Sequence, residues 1–242
     1  MKRGLFITLE GIDGSGKSTQ LHRLTTYLRN RGYKVRATRE PGGTPLGEEI
    51  RRILLTSEQN SAAGRGRIER VASITPMAEL TLMYAARAQH LVEVLQPALA
   101  GGEIVVSDRY NDASLAYQGY GRKLGIEPVR AFDRIICGPT QPDLTIVLDL
   151  PPQLALSRAV LREQQRNLNR ARFEAEGVKF QRRVRAGYLE IARQEPERVK
   201  VIRADRALDE VQAEIRRLVD GVLARWERTK LKRGTSKRKR KA

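Results

Sequence analysis

Leu5-Phe6-Ile7-Thr8-Leu9 is an apolar run with β-branched residues that passes at once into a glycine-rich turn, which predicts a core strand. Beyond the turn, Leu21, Leu24, Thr25 and Leu28 recur at helical spacing until Gly32 stops the pattern. Tyr33 to Thr38 predicts a second strand, Arg39 to Thr44 a loop at its carboxyl end, and Leu46 to Leu55 a short amphipathic helix. Residues 57–74 carry Ser, Asn, Gly and Arg without a clear period and predict a surface excursion. A long helix is expected from Pro76 through Leu80, Met83, Tyr84, Arg87, Leu91 and Leu95 to Gly101-Gly102. Strands are expected at Ile104–Ser107, at Leu144–Leu150 before Pro151-Pro152, and at Val199–Ile202. The arginine-crowded stretch Leu156–Glu174 lies between the last two, and Leu208–Trp226 predicts a closing helix. No repeat of solenoid period is present.

This alternation predicts one α/β domain over residues 1–226, and 242 residues suffice for a sizeable core. An apolar share of 40% against 31% charged residues suits a soluble globular chain. No apolar run approaches the roughly 20 residues of a membrane span, so a cytoplasmic protein is expected. The single cysteine, Cys137, allows no intrachain disulfide and reads as a buried thiol. Neither His22 nor His90 has the companions of a metal site. The net charge of +18 would ordinarily raise nucleic acid as a partner, but roughly half of the excess follows Arg225. Residues 227–242 are therefore expected to form a disordered basic tail, the one place where nucleic acid could be met.

Chemistry enters with Gly11-Ile12-Asp13-Gly14-Ser15-Gly16-Lys17-Ser18-Thr19, whose Gly-x-x-x-x-Gly-Lys-Ser spacing between strand and helix is that of a phosphate-binding loop. Glycines let successive N–H groups turn inward around phosphate oxygens, Lys17 can reach the β- and γ-phosphates, and the Ser18 hydroxyl is placed to ligate Mg²⁺. A magnesium-bound nucleoside triphosphate is the expected ligand. The stretch from Leu156 to Glu174, with Arg158, Arg162, Arg166, Arg170 and Arg172, is expected to be a basic lid over that triphosphate.

Three further blocks accompany the loop: Thr38-Arg39-Glu40-Pro41-Gly42-Gly43-Thr44, Ala85-Ala86-Arg87, and Asp108-Arg109-Tyr110 with Ser114, Ala116, Tyr117 and Gln118. Together and in this order they resemble the thymidylate kinase family, over nearly the whole chain to about residue 225. The resemblance implies a P-loop NTPase fold with a five-stranded parallel sheet, ATP-dependent conversion of dTMP to dTDP, Mg²⁺, and usually a homodimer. It implies that Arg39 and Arg51 hold the dTMP phosphate and that Arg109 bridges the two phosphate groups. Asp13 would bond the sugar 3′-hydroxyl, Arg87 would donate to a thymine carbonyl, Ser114 and Gln118 would complete that edge, and Tyr117 would pack beneath the deoxyribose. Asp108 ends an apolar strand as a Walker-B carboxylate does and could hold Mg²⁺ through water, with Asp149 as its rival.

Departures from the family's pattern are also legible. Met83 occupies a position where phenylalanine commonly stacks on thymine, and the lid ends Ala171-Arg172-Phe173-Glu174 without the usual aspartate. Asp13-Gly14 offers no loop arginine, which makes Arg158, Arg162 and Arg170 the candidates for meeting the donor phosphates. Two alternatives stand beside the dTMP reading: a kinase for another nucleoside monophosphate, motivated by Met83, and a nucleic-acid-dependent P-loop ATPase, motivated by the tail.

Overall fold

The computed structural model describes residues 4–55, 74–155, 157–158 and 177–239, with side chains as far as Thr229. The excursion at 57–73 and the lid arginines Arg162, Arg166, Arg170 and Arg172 lie outside the described residues.

Strand β1 (Leu5–Glu10) is buried along its whole length, as an apolar run in a sheet covered on both faces must be. It stands at the middle of a five-stranded parallel sheet of order β2-β3-β1-β4-β5, whose other members are β2 (Val35–Arg39), β3 (Ile104–Asp108), β4 (Leu144–Asp149) and β5 (Val199–Arg203). Register sets Leu9 beside Asp108 on one side and Glu10 beside Val147 on the other. The chain visits β2 and β3 on one side of β1 before β4 and β5 on the other, and ligands bind at the carboxyl ends of strands where such a reversal occurs. Gly11–Gly16 leaves β1 there, Glu40–Thr44 leaves β2, and Arg109-Tyr110 leaves β3.

Helix α1 (Lys17–Asn30) follows the first turn, and α2 (Pro45–Leu55) packs against α3 (Pro76–His90). The long helix expected from Pro76 is broken into α3, a π-helical turn at Leu91–Leu95 and α4 (Gln96–Ala100). Pro97 is the physical reason, since its ring nitrogen cannot donate the next helical bond and crowds the carbonyl a turn earlier. After β3 come α5 (Asn111–Ser114), a second π-helical turn at Leu115–Gly121, and α6 (Ile126–Ile136). Helix α7 (Gly177–Gln194) packs along the 115–121 turn, and α8 (Leu208–Lys239) crosses α1.

The second strand starts at Val35 instead of the expected Tyr33, because the Tyr33 N–H still bonds the Leu28 carbonyl and closes the helix before it. Past Trp226, α8 runs on to Lys239. Cys137 is a buried free thiol, and among the described residues no helix is long and apolar enough to cross a membrane.

Candidate active site

Turning the chain from β1 into α1 within a few residues requires glycine at positions of positive φ. Gly11 has φ 134° and Gly14 φ 81°, and a Cβ at Gly14 would lie 2.2 Å from the Ala155 carbonyl oxygen. The missing loop arginine thus has a steric cause: the backbone at Ala155, just beyond β4, occupies the space of any side chain at 14. Gly16, also left-handed, caps α1, so the helix N-terminus and its free N–H groups face the loop, as an anion site requires. Lys17 folds back across the loop and donates from Nζ to the carbonyls of Gly11 (3.1 Å) and Ile12 (2.9 Å). Burial, helped by the Arg109 charge, pulls its ammonium pKa down to about 8.

Ser18 Oγ donates to Asp108 Oδ2 at 2.8 Å, which joins the start of α1 to the end of β3. Asp149 is engaged elsewhere, in a bidentate pair with Arg185 at 2.6 and 2.8 Å. Arg109 has φ 73°, a conformation that strains a non-glycine residue by on the order of 1 kcal/mol or more. Its guanidinium offsets that cost with four acceptors: the Gly11 carbonyl, the Tyr188 hydroxyl, Asp13 Oδ1 (2.6 Å) and the Tyr117 hydroxyl (2.9 Å). Tyr117 in turn donates to Asp13 Oδ2 at 3.1 Å. Asp13 is held below the usual carboxylate range by Arg109 and Lys17, against the opposing effect of its burial.

An open cleft lies beside this cluster and brings together Asp13, Arg51, Met83, Arg87, Arg109, Ser114, Tyr117 and Gln118. Arg87 is buried and fixed from two sides, donating from Nε to Glu40 (2.7 Å) and from Nη2 to the Tyr110 carbonyl (3.0 Å); its Nη1 has no partner among the described residues. Glu40 also pairs with His90 Nδ1 (2.8 Å), and His90 Nε2 meets Thr38 Oγ1 (2.6 Å). Gln118 donates its amide nitrogen to the fully buried Glu79 at 2.7 Å, which leaves its carbonyl oxygen unused among the described residues. Glu79 is balanced by Arg122 at 3.0 Å. Buried pairs of this kind cost desolvation, so their return lies in orientation more than in stability.

Not every candidate joins the cavity. Arg39 is about half exposed, is absent from the lining and pairs with Glu48 at 2.8 Å. Arg51, which lines it, donates to the Pro41 carbonyl at 3.0 Å. Arg158 is exposed and donates to the Ala204 carbonyl at 3.1 Å, on the turn after β5.

A model of the thymidylate kinase family matches residues 9–215, a span that includes the phosphate loop and every residue that lines the cavity. The chain belongs to the thymidylate kinase family. It is 46% identical over 211 residues to the thymidylate kinase of Syntrophotalea carbinolica, covering 85% of this chain and 90% of the relative. With that of Nitrosospira multiformis it shares 45% over 223 residues, 92% of this chain and 100% of the relative. The crystal structure of thymidylate kinase from Ehrlichia chaffeensis superposes with a TM-score of 0.66 at 31% identity, over 90% of this chain and 99% of that one. The five-stranded all-parallel sheet is therefore that of a P-loop kinase of the thymidylate kinase family, and neither alternative reading is favoured.

Several residues around this cluster have no role assigned from the sequence. Glu40, Glu79 and His90 hold Arg87 and Gln118, while Glu10 and Tyr188 support Arg109. His90 stands one helical turn after Arg87, a spacing that could have announced a shared face. Glu10, a carboxylate closing an otherwise apolar strand, was a similar signal; Tyr188 carried none.

Proposed function

We infer that this protein transfers the γ-phosphoryl group of ATP to dTMP, giving dTDP and ADP. A phosphate oxygen of dTMP attacks the γ-phosphorus and the bond to the bridging oxygen of ADP breaks, a displacement that needs alignment and neutralised charge more than covalent help. Lys17 would leave the Gly11 and Ile12 carbonyls for the donor phosphates, and Arg109 would face both phosphate groups from its four-acceptor seat. Arg51 and Arg39 would take the acceptor phosphate, and Asp13 the 3′-hydroxyl. Arginines of the lid, drawn from Arg158, Arg162 and Arg170, would meet the charge that a glycine at 14 leaves to them.

Ser18 and Asp108 fit a magnesium ion: a hydroxyl and a carboxylate oxygen, both hard donors, 2.8 Å apart beside the phosphate loop. Held by these two residues, magnesium would supply positive charge against the donor phosphates.

The observation that carries the base preference is the pairing of Gln118 with Glu79. With its amide nitrogen committed to a carboxylate, Gln118 presents an acceptor, which suits the N3–H of thymine and not the bare N3 of cytosine. Arg87 supplies the complementary donor for a base carbonyl. Initial rates with dTMP, dUMP, dCMP and dGMP at fixed ATP test this, and the preferred acceptors should be those with N3–H and a carbonyl at C4. A rate with dCMP equal to that with dTMP would refute the assignment. The resemblance also supports a homodimer and a cytoplasmic setting, with the basic end of α8 lying outside the catalytic body.

A further inference from the structure

We propose that Glu10, the last residue of β1, is a positioning residue for phosphoryl transfer that acts on Arg109 through the hydroxyl of Tyr188. The proposal rests on the reading that Arg109 faces the reacting phosphates.

Glu10 is fully buried, and each of its carboxyl oxygens is committed to a neighbour of Arg109. Oε1 accepts from the Tyr110 backbone N–H at 2.8 Å, and Oε2 accepts from the Tyr188 hydroxyl at 2.7 Å. The Tyr188 oxygen then accepts from Arg109 Nη1 at 3.1 Å. A phenol has one proton to give, so when Tyr188 donates to Glu10 its lone pair is turned to Arg109. Without the Glu10 acceptor, the Tyr188 proton is free to rotate toward the guanidinium, where it repels.

The main-chain bond points to the same role. Arg109 sits at φ 73°, held by its N–H to the Leu9 carbonyl at 3.0 Å and by Ser107 Oγ on its own carbonyl at 2.7 Å. The Glu10 bond to the next N–H completes that clamp on a strained turn. An apolar side chain there would leave the buried Tyr110 N–H and Tyr188 hydroxyl without this acceptor. What a carboxylate adds is two acceptors at a fixed spacing, one for the backbone that aims Arg109 and one for the hydroxyl that seats its guanidinium. Tyr188 comes from α7, so Glu10 also ties the helix that follows the lid to the phosphate loop.

Steady-state kinetics and thermal melts of Tyr188→Phe, Glu10→Gln and the double variant test the proposal, with Arg109→Ala alongside. Tyr188→Phe keeps the ring and loses only the relay, so kcat should fall by about tenfold while KM for ATP and dTMP stays within about twofold and the melting temperature is little changed. The double variant should be no slower than the slower single variant, because both substitutions cut one chain. A wild-type kcat in Tyr188→Phe, or a double variant whose loss is the product of the two single losses, would overturn the proposal. If Glu10→Gln fails to fold, Tyr188→Phe decides alone by the same kcat criterion. A wild-type kcat in Arg109→Ala would instead defeat the assignment of Arg109, which separates that failure from this one.

Discussion

Ser18 Oγ and Asp108 Oδ2 lie 2.8 Å apart, and that one bond distinguishes the two strand-terminal aspartates. Asp149, at the equivalent end of β4, spends both oxygens on Arg185. Asp108→Ala should therefore lower kcat by about a hundredfold and raise the magnesium concentration needed for half-maximal rate. Asp149→Ala should leave the magnesium dependence where it is. Rates across a magnesium titration decide, and equal shifts in the two variants would contradict the assignment.

Arg87 faces the acceptor cavity and not the phosphate loop. Its replacement by alanine should raise KM for dTMP by tenfold or more and change KM for ATP by less than about twofold. Glu40→Gln should reproduce part of that loss and also lower thermal stability, since a buried pair broken on one side costs about 3–5 kcal/mol. Parallel losses for both substrates in Arg87→Ala would show that the arginine supports the fold and not the base.

The ammonium of Lys17 ordinarily titrates near 10.5 and is brought down to about 8, chiefly by its burial. A bound triphosphate favours the protonated ammonium, so its pKa rises and binding at pH 8 takes up protons. At pH 6.5 Lys17 already holds its proton and the uptake should fade. Calorimetry of ATP binding without magnesium, in buffers of different ionisation enthalpy, reads this directly, and Lys17→Met should reduce the uptake. Proton release at pH 8 would reverse the sign and contradict it.

Gly14 cannot be converted into a catalytic arginine. A Cβ there would meet the Ala155 carbonyl at 2.2 Å, so Gly14→Arg should displace the chain entering the lid and lower kcat by tenfold or more. A gain in turnover would show that the lid backbone yields easily and that charge alone was missing.

The strands and the phosphate loop were legible because their signals are local: an apolar run, a glycine spacing, a helix start. Arg87, Gln118 and Arg109 were reachable through the order of motifs. Their orientation was not, because it depends on partners far along the chain, such as Glu79 for Gln118 and Tyr188 for Arg109, which share no sequence period with them. The break at Pro97 was readable from the proline itself, yet the apolar spacing through Leu91 and Leu95 outweighed it.

Following the label from γ-phosphate-labelled ATP tests most directly whether dTMP is the acceptor. In the presence of dTMP, label should appear in dTDP in a one-to-one ratio with ADP, and ADP should scarcely form when dTMP is withheld. ADP formation that ignores dTMP and rises with added DNA would contradict the account.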